Sequence, residues 1–232
     1  MMRQNNSRRI NLDKEIKEAQ ARLAKVLPDI IKKRPPIDDK KLLENVEEFL
    51  NILAPWWRED NDLKETPNRY SKAMTYLTSG YDTEDEDINK IVTLFARSCR
   101  LADESCHNLI TFGGTFKTLC AHHILNFNGR FVISYIPKNL RLGASKFQRV
   151  VNIVMRTLQS QEDLVHDIAD ILEAILDPSG IAVWTGGEHQ CMQVRGVEAE
   201  TSWMEVDIVR GEFLNNPMTR QDWNSLLIER AK

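Results

Sequence analysis

Apolar residues recur every three or four positions in the first third of the chain. They then alternate, return to helical spacing after residue 145, and alternate again after residue 180. Leu12, Ile16, Ala19, Leu23, Val26 and Ile30 predict a peripheral helix that ends before Pro35-Pro36. The charge of this segment also allows a partly disordered arm, as the lesser alternative. Leu42, Leu43, Val46, Phe49 and Leu50 form one helical stripe. Thr66-Pro67 predicts an N-cap with proline at the first helical position, Tyr70, Met74 and Leu77 the buried face, and Gly80 a C-terminal stop. An acidic loop is expected over 83–87.

Strands are predicted over 109–119 and around Phe131, Ile133 and Tyr135, the second ending at Pro137. Ser145 and Gln148 have capping-box spacing ahead of a helix whose apolar face is Phe147, Val150, Val151 and Val154. Leu164, Ile168, Ile171, Leu172 and Ile175 mark the next helix, closed by Asp177-Pro178-Ser179-Gly180. The expected ending is a strand over 181–185, a turn at Gly186-Gly187 and a strand over 188–197. Helices, two strands, two helices and two strands predict an α+β fold, an antiparallel sheet backed by helices.

Composition narrows the function classes. The 232 residues carry a formal net charge of -3, so no general electrostatic reason exists to bind nucleic acid or an anionic membrane. No run of 18 apolar residues suggests a membrane span. The charged N-terminus lacks the apolar core of a secretory signal. Four cysteines are too few for a disulfide scaffold. The expectation is a cytoplasmic protein with reduced thiols, which turns the cysteine question toward metal or catalysis.

Two clusters carry the chemistry: Cys120-Ala121-His122-His123 and His189-Gln190-Cys191. Zinc takes thiolate and imidazole ligands, and a catalytic zinc keeps one of four positions open. Spacing alone leaves a rival reading, in which both cysteines are small buried apolar residues. Period-two alternation through 188–197 predicts His189, Cys191, Gln193 and Arg195 on one strand face, which favours an active site. Ser145, Lys146, Arg149, Gln161, Glu162, Arg69 and Arg195 are the other polar candidates. Each taken singly also reads as a solvated surface residue or, for Glu162, a helix-dipole partner.

The segments LCAHHILNFNGRFVISYIPK, LGASKFQRVV, SQEDL and EHQCMQVRGV, with the lead-in KETPNRYSKAMTYLTSGYD, resemble the GTP cyclohydrolase I family in order and content over roughly residues 43–213. The resemblance implies a T-fold, its subunits joining into a β-barrel ring, with two pentamers forming a homodecamer and sites lying between subunits. It implies Cys120, His123 and Cys191 as Zn2+ ligands and His122 and His189 as the proton-transfer pair. Ser145 would lie near the ribose. Glu162 with Gln161 would anchor guanine, and Lys146, Arg149, Arg195 and Arg69 would surround the triphosphate. The implied reaction opens the imidazole ring of GTP, releases formate and gives 7,8-dihydroneopterin triphosphate, a precursor for folate, other pterins or deazaguanines. Neither nucleic acid nor membrane is an implied partner.

Ala121 departs from the family's usual glutamate, and VEAETSWMEVDIVRGEF departs from its threonine-rich strand. Two rivals follow: a same-fold enzyme acting on dGTP or a pterin, and a catalytically silent binding or regulatory homologue. The expected organisation is a charged arm over 1–37, a helical region over 38–95, a T-fold catalytic domain over 96–213 and a tail over 214–232.

Overall fold

Five strands form the central sheet of a computed structural model that describes residues 11–84, 90–96 and 109–230. Their order is β5 (Leu158–Gln159), β2 (Ile110–Cys120), β3 (Asn126–Ile136), β6 (Gly180–His189) and β7 (Met204–Gly211). Neighbours are antiparallel, except that β5 runs parallel to the end of β2. A separate ladder joins β1 (Leu94–Ala96) to β4 (Leu140–Leu142). Alternation puts Phe116, Phe127, Phe131, Ile133, Tyr135, Ile181 and Val183 on one face of the sheet, where they enter the main core.

Eight helices of varied length are used below. α1 (Leu12–Ile30), α2 (Asp39–Leu53) and α3 (Thr66–Leu77) precede the sheet. α4 (Ala144–Val154) and α5 (Gln161–Leu176) cover its core face, and α6 (Gln190–Gln193) is a single turn. α7 (Glu212–Asn215) leads to a last helix, α8 (Pro217–Arg230). Ser160 caps α5 by accepting from the Asp163 N–H, while Asp177 closes it in the left-handed region at φ 42°. The α+β class expected from the pattern is the one observed.

Several local expectations are corrected. α1 is not peripheral: Ala19, Leu23 and Leu27 are buried in the main core, and Arg22 Nε donates to the Ala174 carbonyl of α5 at 2.8 Å. Sandwiched between α1 and the sheet, α5 therefore buries a stripe wider than one face. In α3 the cap position is Glu65, and Pro67 and Ser71 are buried while Tyr70 is exposed. Gly80 is not a left-handed stop. A Cβ there would lie 2.4 Å from the Ile153 carbonyl oxygen, and its N–H donates to Arg156 O, so it seats the end of α3 against α4. Gly143, not Ser145, caps α4, and Ser145 sits exposed in its first turn. Only residues 83 and 84 of the expected acidic loop fall within the described residues.

The largest correction is at Gly186-Gly187. No turn forms there, and one strand runs through to His189. Gly187 pairs with Gly129, where an added Cβ on Gly129 would lie 1.9 Å from Gly186 O. The glycines serve close backbone approach. Residues 190–193 then coil into α6, and the partner strand of β6 is β7, not 188–197. Beyond β7, Phe213 and Trp223 pack with Val132, Ala182 and Trp184 on the far face of the sheet. Trp223, in the segment expected as a tail, thus completes a second core.

Two stability predictions follow. Gly129→Ala drives a methyl into a backbone carbonyl that cannot rotate away, so a loss of at least about 2 kcal/mol is expected in denaturant unfolding. Unchanged stability would show that the β3–β6 approach is loose. Asp167, which accepts from Gln159 Nε2 at 3.0 Å, has its carboxyl raised by burial from the ordinary 3.8 to about 6. The folded state therefore binds this proton more tightly, and the group's stabilisation is full below about pH 4 and lost as pH rises through about 6. Asp167→Asn should raise the melting temperature at pH 7.5 and flatten its decline between pH 4 and 6.

Candidate metal centre

A five-residue hairpin loop, 121–125, joins β2 to β3 and carries the two adjacent histidines. It is closed by Cys120 N–H donating to Leu125 O and Ile124 N–H donating to Cys120 O, both at 2.8 Å. Ile124 turns the chain with φ 55°, a conformation costly for a β-branched residue. Cys120 is buried at the strand end, while His122 and His123 are exposed. Their Nδ1 atoms lie 3.7 and 3.8 Å from Cys120 Sγ.

Across the sheet end, the His189 position of β6 pairs with Phe127 of β3, and α6 brings Cys191 back toward the hairpin. One ligand atom each from Cys120, His123 and Cys191 lies within 4.8 Å of the others. Metal bonds of about 2.0–2.3 Å make this spread closable by one tetrahedral ion with a fourth position free. Burial and the neighbouring Cys120 push the half-buried Cys191 thiol up from its ordinary 9.0, against the pull of Arg195. Arg195 Nη1 stands 3.4 Å from His123 Nε2 and closes one side of the group. The predicted strand face of His189, Cys191, Gln193 and Arg195 does not exist. These residues converge because the strand ends at His189 and a helical turn begins.

His189 is buried, its ring stacked on Phe127 with centroids 4.4 Å apart and planes 5° from parallel. Burial lowers its imidazole below the ordinary 6.5, with the Glu162 carboxylate opposing that shift. Its Nε2 lies 2.7 Å from Gln161 Oε1. Glu162, the next residue, is exposed in the first turn of α5. The stacking by Phe127 leaves no sequence signal, because an apolar strand residue does not name its cross-strand partner.

The remaining predicted residues lie elsewhere in the chain. Lys146 Nζ donates to Lys90 O at 2.6 Å, and Ser145 and Arg149 are exposed on the same end of α4. Gln148 of that helix meets β2 at Gly114 and Thr115, six strand positions from Cys120, or roughly 20 Å. Arg69 is exposed on α3.

The profile of the GTP cyclohydrolase I family matches residues 42–227. The chain belongs to the GTP cyclohydrolase I family. Its T-fold and its assignment to this class of enzyme follow from that membership. GTP cyclohydrolase 1 of Pseudoalteromonas translucida is 37% identical over 183 residues, covering 77% of this chain and 95% of that protein. The enzyme of the same name from Deinococcus radiodurans is 34% identical over 213 residues, covering 89% and 95%. That of Dictyostelium discoideum is 34% identical over 223 residues, covering 94% and 92%. The last two alignments span most of the chain. No helix among the described residues is long and apolar enough to cross a membrane.

Removing one sulfur from this family member's Cys-His-Cys group tests the metal reading directly. Cys191→Ala protein, dialysed against divalent metal and assayed by elemental analysis, is expected to hold well under one equivalent while keeping its far-ultraviolet spectrum. One retained equivalent would take Cys191 out of the ligand set.

Proposed function

We propose that the chain binds zinc through Cys120, His123 and Cys191 and hydrolyses the imidazole ring of GTP, releasing formate and giving 7,8-dihydroneopterin triphosphate. The convergence of those three side chains beside His122 and His189, in a member of this family, is the observation that carries the reading. When bound, zinc supplies a water acidified to near neutral pH.

This chain's own residues do the rest. Addition of water at guanine C8 and opening of the ring require a proton for the departing nitrogen. His122, whose Nδ1 lies 3.7 Å from Cys120 Sγ, and His189, two residues before Cys191, are the imidazoles that supply it. Glu162 accepts the ring N–H and exocyclic amine of guanine, with Gln161 fixed beside it. Adenine lacks that donor pair and leaves the carboxylate unpaired, which disfavours it. Ser145 serves the ribose. Lys146, Arg149, Arg195 and Arg69 neutralise the triphosphate.

Ser145, Lys146 and Arg149 lie far from Cys120 within one chain, which supports a site completed by another subunit. The outer edge of β2 over 110–118 and that of β7 have no ladder partner among the described residues. Unpaired edges are templates for further strands. We infer a homo-oligomeric ring on this basis, a decamer of two pentamers in the family's pattern, working in the cytoplasm.

Zinc-loaded protein given GTP is expected to yield formate and, after oxidation, a fluorescent pterin; no turnover with metal bound would refute the reading. Glu162→Ala should raise KM for GTP roughly 10- to 100-fold and leave zinc in place. Ala121 favours a second reading. It is exposed and contributes only a backbone N–H, donated to Gln159 O, so the missing carboxylate alters what the turn presents and not the turn itself. A dGTP turnover equal to that of GTP would support relaxed ribose selection.

A further inference from the structure

We propose that Gln161 is a positioning residue for His189, fixing its ring proton on Nε2 and leaving Nδ1 as the atom that exchanges protons with substrate. This rests on the reading of His189 as a proton-transfer residue, and assigns Gln161 a task other than contact with the base.

The amide can take only one orientation. Gln161 is 1% exposed, and its Nε2 lies 3.0 Å from Met204 O, 3.2 Å from Thr185 O and 3.2 Å from Thr185 Oγ1. Two of these are backbone carbonyls, which only accept, so the amide nitrogen must face them. The amide oxygen then faces His189, at 2.7 Å from Nε2. An amide oxygen also only accepts, so Nε2 donates. A ring turned by 180° would put a carbon there, and a C–H···O contact needs about 3.3 Å or more. The parallel stack on Phe127 holds the ring plane in which this bond is made.

The same bonds leave Gln161 little to offer a ligand. Both amide hydrogens serve β6 and β7, and the oxygen serves His189. Glutamate at this position would set a carboxylate against two carbonyl oxygens, and an apolar residue would leave both carbonyls and Nε2 without this partner. Gln161 meets both demands because one end donates and the other accepts. Its influence on the reaction therefore passes through the histidine, while Glu162 alone is exposed to the base.

Gln161→Leu tests the assignment with two independent readouts. Binding of GTP to the metal-free protein, by equilibrium dialysis, is expected to stay within about two-fold of the unsubstituted chain. In the zinc-loaded enzyme kcat should fall roughly 100-fold or more with KM little changed, the pattern expected when a catalytic imidazole loses its preferred tautomer. A variant that binds GTP about ten-fold more weakly and keeps its kcat would overturn the proposal in favour of a direct base contact. Nitrogen-15 spectra of histidine-labelled metal-free protein, taken above the histidine titration range, remain decisive even where the leucine variant fails to fold. The His189 signals, assigned by their loss in His189→Asn, should show a protonated Nε2 and a bare Nδ1; the opposite tautomer overturns the proposal. Absence of GTP turnover by the unsubstituted zinc enzyme would instead strike at the proposed function, and leave the tautomer result standing.

Discussion

The pairing of Phe127 with His189 across β3 and β6 is the constraint on which the candidate centre rests. β3 begins just after the hairpin that carries His122 and His123, so this register brings the end of β6 to that hairpin. Side chains alternate along a strand, and a slip by one residue would turn His189 to the far face and carry Cys191 with it. The glycine contacts oppose such a slip. Gly129 and Gly187 face each other where neither tolerates a Cβ, and the Gly186 position is filled by Trp203 and Trp184. Three residues without side chains thus help set the position of the residues with chemistry.

That role explains which parts of the site were legible in advance. Helices with a strong 3.6-residue period were found because burial on one face leaves a repeating signal, as in Leu164, Ile168, Leu172 and Ile175. The residue types of the centre were also legible, since Cys and His are rare here and clustered. Their geometry was not. Gly-Gly favours both a turn and a close approach, and only the opposing strand, distant in sequence, decides between them. Once Gly186-Gly187 is read as a turn, residues 188–197 become a strand and Cys191 falls on an imagined face. The roles of Gly80 and α1 were hidden for the same reason: each depends on a partner, α4 or α5, more than 70 residues away.

The far face of the sheet shows a related limit. Residues 214–232 are largely polar, and on composition alone they read as a tail. One aromatic residue in each of two short segments is enough to attach them. Phe213 and Trp223 are both fully buried, their rings 6.0 Å apart at 73°. A hydrophobic period needs several turns to be visible, but two large aromatic side chains bury enough area to hold a helix without one. This second core stiffens β3 and β6 from behind, the same strands whose register sets the centre.

Two local rules are broken next to the proposed proton-transfer histidines. Ile124 occupies a left-handed conformation that glycine would adopt without cost, and such strain is worth about 1–3 kcal/mol. Gln161 places a primary amide in a position 1% exposed, where an apolar side chain would ordinarily sit. The first exception shapes the turn that carries His122 and His123; the second bonds to His189. Ile124 has an alternative that would relieve its strain, and the stabilising bonds of Gln161 require a fully satisfied network around it. Local departures of this kind concentrate at functional sites, where geometry outweighs local preference. These two fall on separate elements, a hairpin turn and a helix start, brought together at one end of the sheet where Ala121 N–H donates to Gln159 O. Their coincidence there is a physical argument for an active centre that does not depend on the residue types of the metal ligands.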